Sequence, residues 1–246
     1  MRTDPQALSP FDPHSDPVLV LGIGNLLWAD EGFGVRCAET LGRTHVLPGT
    51  VTLMDGGTQG LYLLPHVTAA RRMVLFDAVD YGLPPGSVHV VEDGDIPRFT
   101  GAKKMSLHQT GFQEVLAAAT LLGRLPEKMV LIGVQPVDMS DYGGPLHDTL
   151  KARVPEAVAL GVARLRDWGL SVGVRAGEVS ADLFDPSLAH EPFEAGRPSA
   201  DEACRFGDTR VLARMSPCSG RGPGPSPGAG VGAKYDDRAP HTRERI

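Results

Sequence analysis

Three stretches of the chain contain apolar runs, and they set the frame for the rest. "VLVLGI" (Val18 to Ile23) lacks the alternation of a half-exposed strand and suits a strand covered on both faces of a sheet, while "RRMVLFDAVD" (Arg71 to Asp80), with Asp77 at its carboxyl end, and "KMVLIGVQP" (Lys128 to Pro136) read as further strands. "TVTLMD" (Thr50 to Asp55) predicts another strand ending in the turn "DGGT", and "GSVHVVE" alternates as an edge strand does. Between them, "EGFGVRCAETL" places Val35, Ala38 and Leu41 at helical spacing, with Asp30 placed to cap it. "GLYLLPHV" reads as a short helix that Pro65 ends. "HQTGFQEVLAAATLLG" reads as a long helix begun at His108, and His147 to Gly169 as a final helix kinked at Pro155. Strands alternating with helices predict an α/β fold of three layers: a twisted, mainly parallel sheet of about five strands flanked by helices.

The pattern also divides the chain. Residues 1–17, rich in Pro and acids, predict a flexible N-terminal segment, and 18–172 predict the domain. From 173 to 246 Pro, Gly, Ser and charge take over, which predicts a disordered tail. A formal GxSxG at Gly224 to Gly228 lies in that tail with prolines on both sides of its serine, so it is not a nucleophile elbow.

Charge and cysteine usage narrow the function classes. A net charge of −6 argues against a nucleic-acid or anionic-membrane surface. Three cysteines without CxxC spacing give neither a disulfide framework nor a zinc ribbon, and the N-terminus has no signal-peptide core, so a cytoplasmic location is expected. Val18 to Trp28 is too short to span a bilayer, which takes about 20 residues.

The candidate chemistry gathers where the strands end. After Gly22 and Gly24 the third glycine of GxGxxG is replaced by Leu27, and Asp30 and Glu31 stand where a pyrophosphate would meet a helix N-terminus; no nucleotide is expected there. Glu31, Asp55 and Asp77 each follow or end a predicted strand, and His108 can reach the same edge. Carboxylates and an imidazole from separate loops suit a divalent cation with open positions. Singly each has a plainer role: Glu31 on a helix dipole, Asp55 as a turn former, Asp77 as a cap, and His108 at a helix start capped by Ser106.

"LVLGIGNLLWADEGFGVR", "DGGTQG", "LFDAVD", "SLHQTG" and "LIGVQP", in this order, closely resemble the hydrogenase maturation endopeptidases, cytoplasmic proteases that trim the C-terminal extension of the nickel-iron hydrogenase large subunit. The resemblance covers about Val18 to Gly169, and nothing beyond Gly173 has a recognised counterpart. It implies metal-binding and catalytic roles for Glu31, Asp77 and His108, and a substrate-lining role for Asp55, Gly56, Gly57 and Thr58. It further implies that the cation is nickel carried by the substrate, the large-subunit precursor. The chain is then expected to be a monomer that meets its substrate transiently. A docking or chaperone protein that holds the same precursor without cutting it would retain the same residues.

Overall fold

The computed structural model describes residues 16–96, 107–177 and 188–196, and for 107–110 the backbone alone. The three continuous apolar runs become β1 (Val18–Ile23), β4 (Arg72–Ala78) and β6 (Lys128–Val134), which lie side by side and parallel. With β3 (Val51–Gly57) and β5 (Val88–Glu92) they form one sheet in the order β3-β1-β4-β6-β5. β5 is antiparallel and at the edge, as its alternating sequence predicts, so the expected α/β fold is observed.

Strand alternation sorts the core into two layers. Val18, Val20, Val74, Phe76, Val130 and Ile132 face α1 (Phe33–Thr44) and a helix over Val154–Asp167. Leu19, Leu21, Met73, Leu75, Met129 and Leu131 face α2 (Leu64–Ala69) and α3 (Leu107–Leu121). α1 turns Phe33, Cys37 and Leu41 inward at successive turns. Phe76 is fully buried, and its ring packs where a Cβ on Gly161 would stand 2.7 Å away, so Phe76→Ala would cost about 3–5 kcal/mol.

The connections fix the site. From β1 the chain crosses by α1 to β3 on one side, then by α2 to β4 on the other side of β1. The order of strands therefore reverses between β1 and β4, and ligand crevices in open α/β sheets lie at the carboxyl ends of such a pair.

Several sequence expectations are corrected here. Pro65 stands in the first turn of α2 and starts it rather than ending it. Pro155 likewise does not kink one helix; it opens a second. α4 (Asp148–Lys151) and α5 (Val154–Asp167) are separate, with Pro155 in the first turn of α5, where its missing N–H breaks no intrahelical bond.

The boundary at 172 is crossed by two elements. β7 (Gly173–Val174) pairs antiparallel with β2 (His45–Val46), and α6 (His190–Ala195) lies along α1. There Arg36 and Glu39 form a buried ion pair of 2.8 Å. Arg36 also donates to the carbonyl of Leu188 at 2.8 Å and stacks over the Phe193 ring, while Glu39 accepts the His190 N–H at 3.0 Å. Lys151 pairs with Glu194 at 2.8 Å. Paired and hydrogen-bonded on all these sides, the two charges meet the condition for burial. Cys204, Cys218 and the GxSxG at 224–228 lie outside the described residues, as do Ser106 and residues 1–15. Among the described residues, no helix is long and apolar enough to cross a membrane.

Candidate functional site at the carboxyl edge of the sheet

The turn after β1 folds back onto itself, and its glycines make that possible. Gly24 has φ of +141°, and a Cβ there would stand 1.8 Å from the carbonyl oxygen of Glu31. That same oxygen accepts the Asn25 N–H at 3.2 Å, while Gly24 donates to Gly57 of β3 at 3.1 Å. One turn later, a Cβ on Gly34 would lie 2.2 Å from the Phe76 carbonyl and 2.3 Å from that of Ile23, so the start of α1 is wedged between the ends of β1 and β4. Glu31 is three residues before this wedge and Asp77 one residue after Phe76. The backbone of both residues thus stands beside the reversal point between the two strands.

Asp77 is fully buried. Alternation with Leu75 puts it on the α3 side of the sheet, where its register partner on β6 is Gly133. A Cβ on Gly133 would stand 2.3 Å from the hydroxyl of Tyr81, so the missing side chain makes room for this phenol beside Asp77. Burial, and then the charge of Asp77, push the Tyr81 hydroxyl well above its ordinary range. At neutral pH it remains a hydrogen-bond donor.

Asp55 is placed differently. Its register partner is Gly22 of β1, and it alternates with Leu53, so it faces the α1 side, away from Asp77. Its Oδ1 accepts the Gly57 N–H at 2.7 Å, which holds the turn into Gly57 at φ of +44°. Burial raises its carboxyl above the usual range, opposed by the Gly57 N–H and by the charge of Arg36. Gly56 is buried against Leu21 and Ile23, and Thr58 is exposed. The "DGGT" turn thus stands at the same edge of the sheet, with its carboxylate engaged in its own turn.

His108 lies in the first turn of α3, and its side chain is outside the description. The backbone still locates that turn: a Cβ on Gly111 would stand 3.3 Å from the Cα of Gly60, just past "DGGT". Among the described residues no three His, Cys, Asp or Glu side chains form a metal-binding group, and that set does not include the imidazole of His108.

Three polar residues here were not singled out as site residues. Asp30, expected to cap α1, makes no capping bond; its buried carboxylate turns to the loop after β6, 136–147. Gln135 accepts the Tyr81 N–H at 2.8 Å and the Leu83 N–H at 3.1 Å and donates to Asp80 at 2.9 Å, fixing the loop that follows Asp77. His147 bonds to Asp30 through Nδ1 at 3.1 Å. A polar residue placed immediately after a continuous apolar strand was the available signal for Gln135. For Asp30 and His147 there was no local one.

Comparison with known proteins bears on the family and the fold. The profile of the HycI family, described as hydrogenase maturation protease, matches residues 35–164. The hydrogenase expression/formation protein HupD of Rhodobacter capsulatus is 57% identical over 195 residues, covering 79% of this chain and 92% of the relative. HoxM of Cupriavidus necator, of the same description, is 54% identical over 197 residues, covering 79% of this chain and 98% of the relative. The solved structure of the hydrogenase maturating endopeptidase HybD from Escherichia coli superposes with a TM-score of 0.61 at 34% identity, over 65% of this chain and 98% of that one. A match of 195 residues cannot be contained in 1–172, so the segment beyond 173 does have counterparts in relatives.

Proposed function

Because the chain belongs to the hydrogenase maturation protease family, we propose that it removes the C-terminal extension from the large-subunit precursor of a nickel-iron hydrogenase once nickel has been inserted. What supports this reading is the strand order, which reverses between β1 and β4 where the segments carrying Glu31 and Asp77 begin and end.

In this reading Glu31, Asp77 and the imidazole of His108 dock the nickel of the precursor, and cleavage becomes a check that metal has been inserted. Carboxylate oxygens and one imidazole leave vacancies around a divalent ion that is still held by its own cysteine ligands. Anchoring the ion would fix the neighbouring peptide bond in register, which lowers the entropic part of the barrier. A carboxylate or His108 would then take the proton from the attacking water. Tyr81, kept protonated beside Asp77, would supply a hydrogen-bond donor at the same place. The enzyme would act as a monomer in the cytoplasm.

The test is intact-mass analysis of nickel-loaded and nickel-free precursor after incubation with the protein. Loss of a C-terminal peptide from the loaded form alone supports the reading. Stable binding of the loaded form without any mass change would replace it with a docking protein that does not cut.

A further inference from the structure

Asp30 and Glu31 are neighbours in sequence, the first buried and the second half-buried. The Asp30 carboxylate is fully buried, and all four of its described contacts come from the loop 136–147. Oδ2 accepts the N–H of Val137 at 2.7 Å and of Asp138 at 3.0 Å. Oδ1 accepts the N–H of His147 at 2.9 Å and meets its Nδ1 at 3.1 Å. The Asp30 N–H returns a bond to the Asp138 carbonyl at 3.3 Å.

The two loops are joined further along as well. Gly143 donates to the Leu27 carbonyl at 2.6 Å, and the rings of Trp28 and Tyr142 meet edge to face at 5.2 Å. Between these contacts Ala29 sits at φ of +36°, a left-handed conformation that costs an alanine about 1–2 kcal/mol. Such strain persists only where the surroundings over-determine it. Charge-assisted bonds from a buried carboxylate are strong enough to do so.

We propose that Asp30 is a positioning residue: by tying the strained turn 28–32 to the loop 136–147, it sets the direction from which Glu31 enters the crevice between β1 and β4. The inference rests on the function proposed above for Glu31. Asp30 itself touches no substrate in this account. A helix cap or a simple core carboxylate would be satisfied by its own turn, whereas every described partner of this carboxylate lies more than a hundred residues away.

Asparagine at this position is nearly isosteric but has one acceptor oxygen and would press an NH2 group against one pair of donors. Four proteins are compared on nickel-loaded precursor: the unaltered chain, Asp30→Asn, Val137→Pro and Glu31→Gln. For Asp30→Asn, kcat is expected to fall by about 100-fold with KM little changed, as for a catalytic group displaced by roughly 1 Å. Hydrogen exchange of the amides of Val137, Asp138 and His147 should quicken by about tenfold or more, while protection of β1, β4 and β6 is kept. Val137→Pro removes one of the donors from the far side of the contact and should lower kcat in the same direction. Normal kcat in a folded Asp30→Asn whose loop amides exchange faster overturns the proposal. So does a loss of cleavage fully explained by the unfolded fraction. If Glu31→Gln cleaves normally, the functional reading itself has failed and the inference falls with it. If Glu31→Gln is inactive while Asp30→Asn and Val137→Pro are normal, only the positioning role has failed.

Discussion

The two ends of the sheet use charge in opposite ways. At the amino end Arg71 binds Glu127 with two nitrogens on its carboxylate, and Arg72 meets Asp16, the Trp168 carbonyl and the Trp168 ring. Both signs are present and matched. At the carboxyl end the loops 24–32, 55–63, 77–87 and 135–147 hold acids from Asp30 to Asp141 and neither Lys nor Arg. Charges of both signs at one end hold the chain together; in the four described loops at the other end the formal charges are all negative. The fold alone would not require this difference.

The sharpest way to break the comparison is at the acids. Glu31→Gln or Asp77→Asn is expected to lower cleavage of nickel-loaded precursor by about 100-fold or more with thermal stability largely kept, which steady-state kinetics beside melting curves would check. Next comes the turn that presents Glu31. Gly24→Ala places a Cβ into the Glu31 carbonyl, so activity should be abolished and unfolding made easier by about 3 kcal/mol, read by denaturant titration.

A smaller effect is expected at Asp55. Its folded carboxyl binds a proton more tightly than the unfolded one, so its contribution favours folding below the ordinary carboxylate range and is lost as pH rises through the raised value. Asp55→Asn keeps an acceptor for the Gly57 N–H and removes that slope, so melts taken as pH rises from the ordinary carboxylate range to neutral should be flatter and the variant slightly more stable at neutral pH. The smallest effect belongs to the amino end. Arg71 and Glu127 are both solvent-exposed, and replacing either by Ala should leave melting temperature and cleavage unchanged within error.

The sequence made visible what depends on neighbours along the chain. β1, β4 and β6 are legible from their apolar runs, β1 also from the missing alternation of a strand covered on both faces, and β5 because an edge strand alternates. Glu31 and Asp77 could be assigned to one edge because the first follows a legible strand and the second ends one. What escaped depends on partners far away in sequence. β2 and β7 are two residues each and exist only as a pair, and α6 has little apolar face of its own but docks on a buried ion pair. Pro155 was read as a kink since the pattern continues across it, although proline is best accommodated in a first turn. Asp30 had every local mark of a helix cap. The loop that claims it instead begins after β6, and nothing near Asp30 in sequence announces it.

The central claim is that the carboxyl edge cuts a precursor only when that precursor carries nickel. Its most direct measurement is the intact mass of loaded and nickel-free large-subunit precursor after incubation with the unaltered protein and with a Glu31→Gln, Asp77→Asn double variant. The expected result is a lost C-terminal peptide in one case alone, loaded precursor with unaltered protein. Cleavage of the nickel-free precursor at an equal rate, or by the double variant, would contradict it.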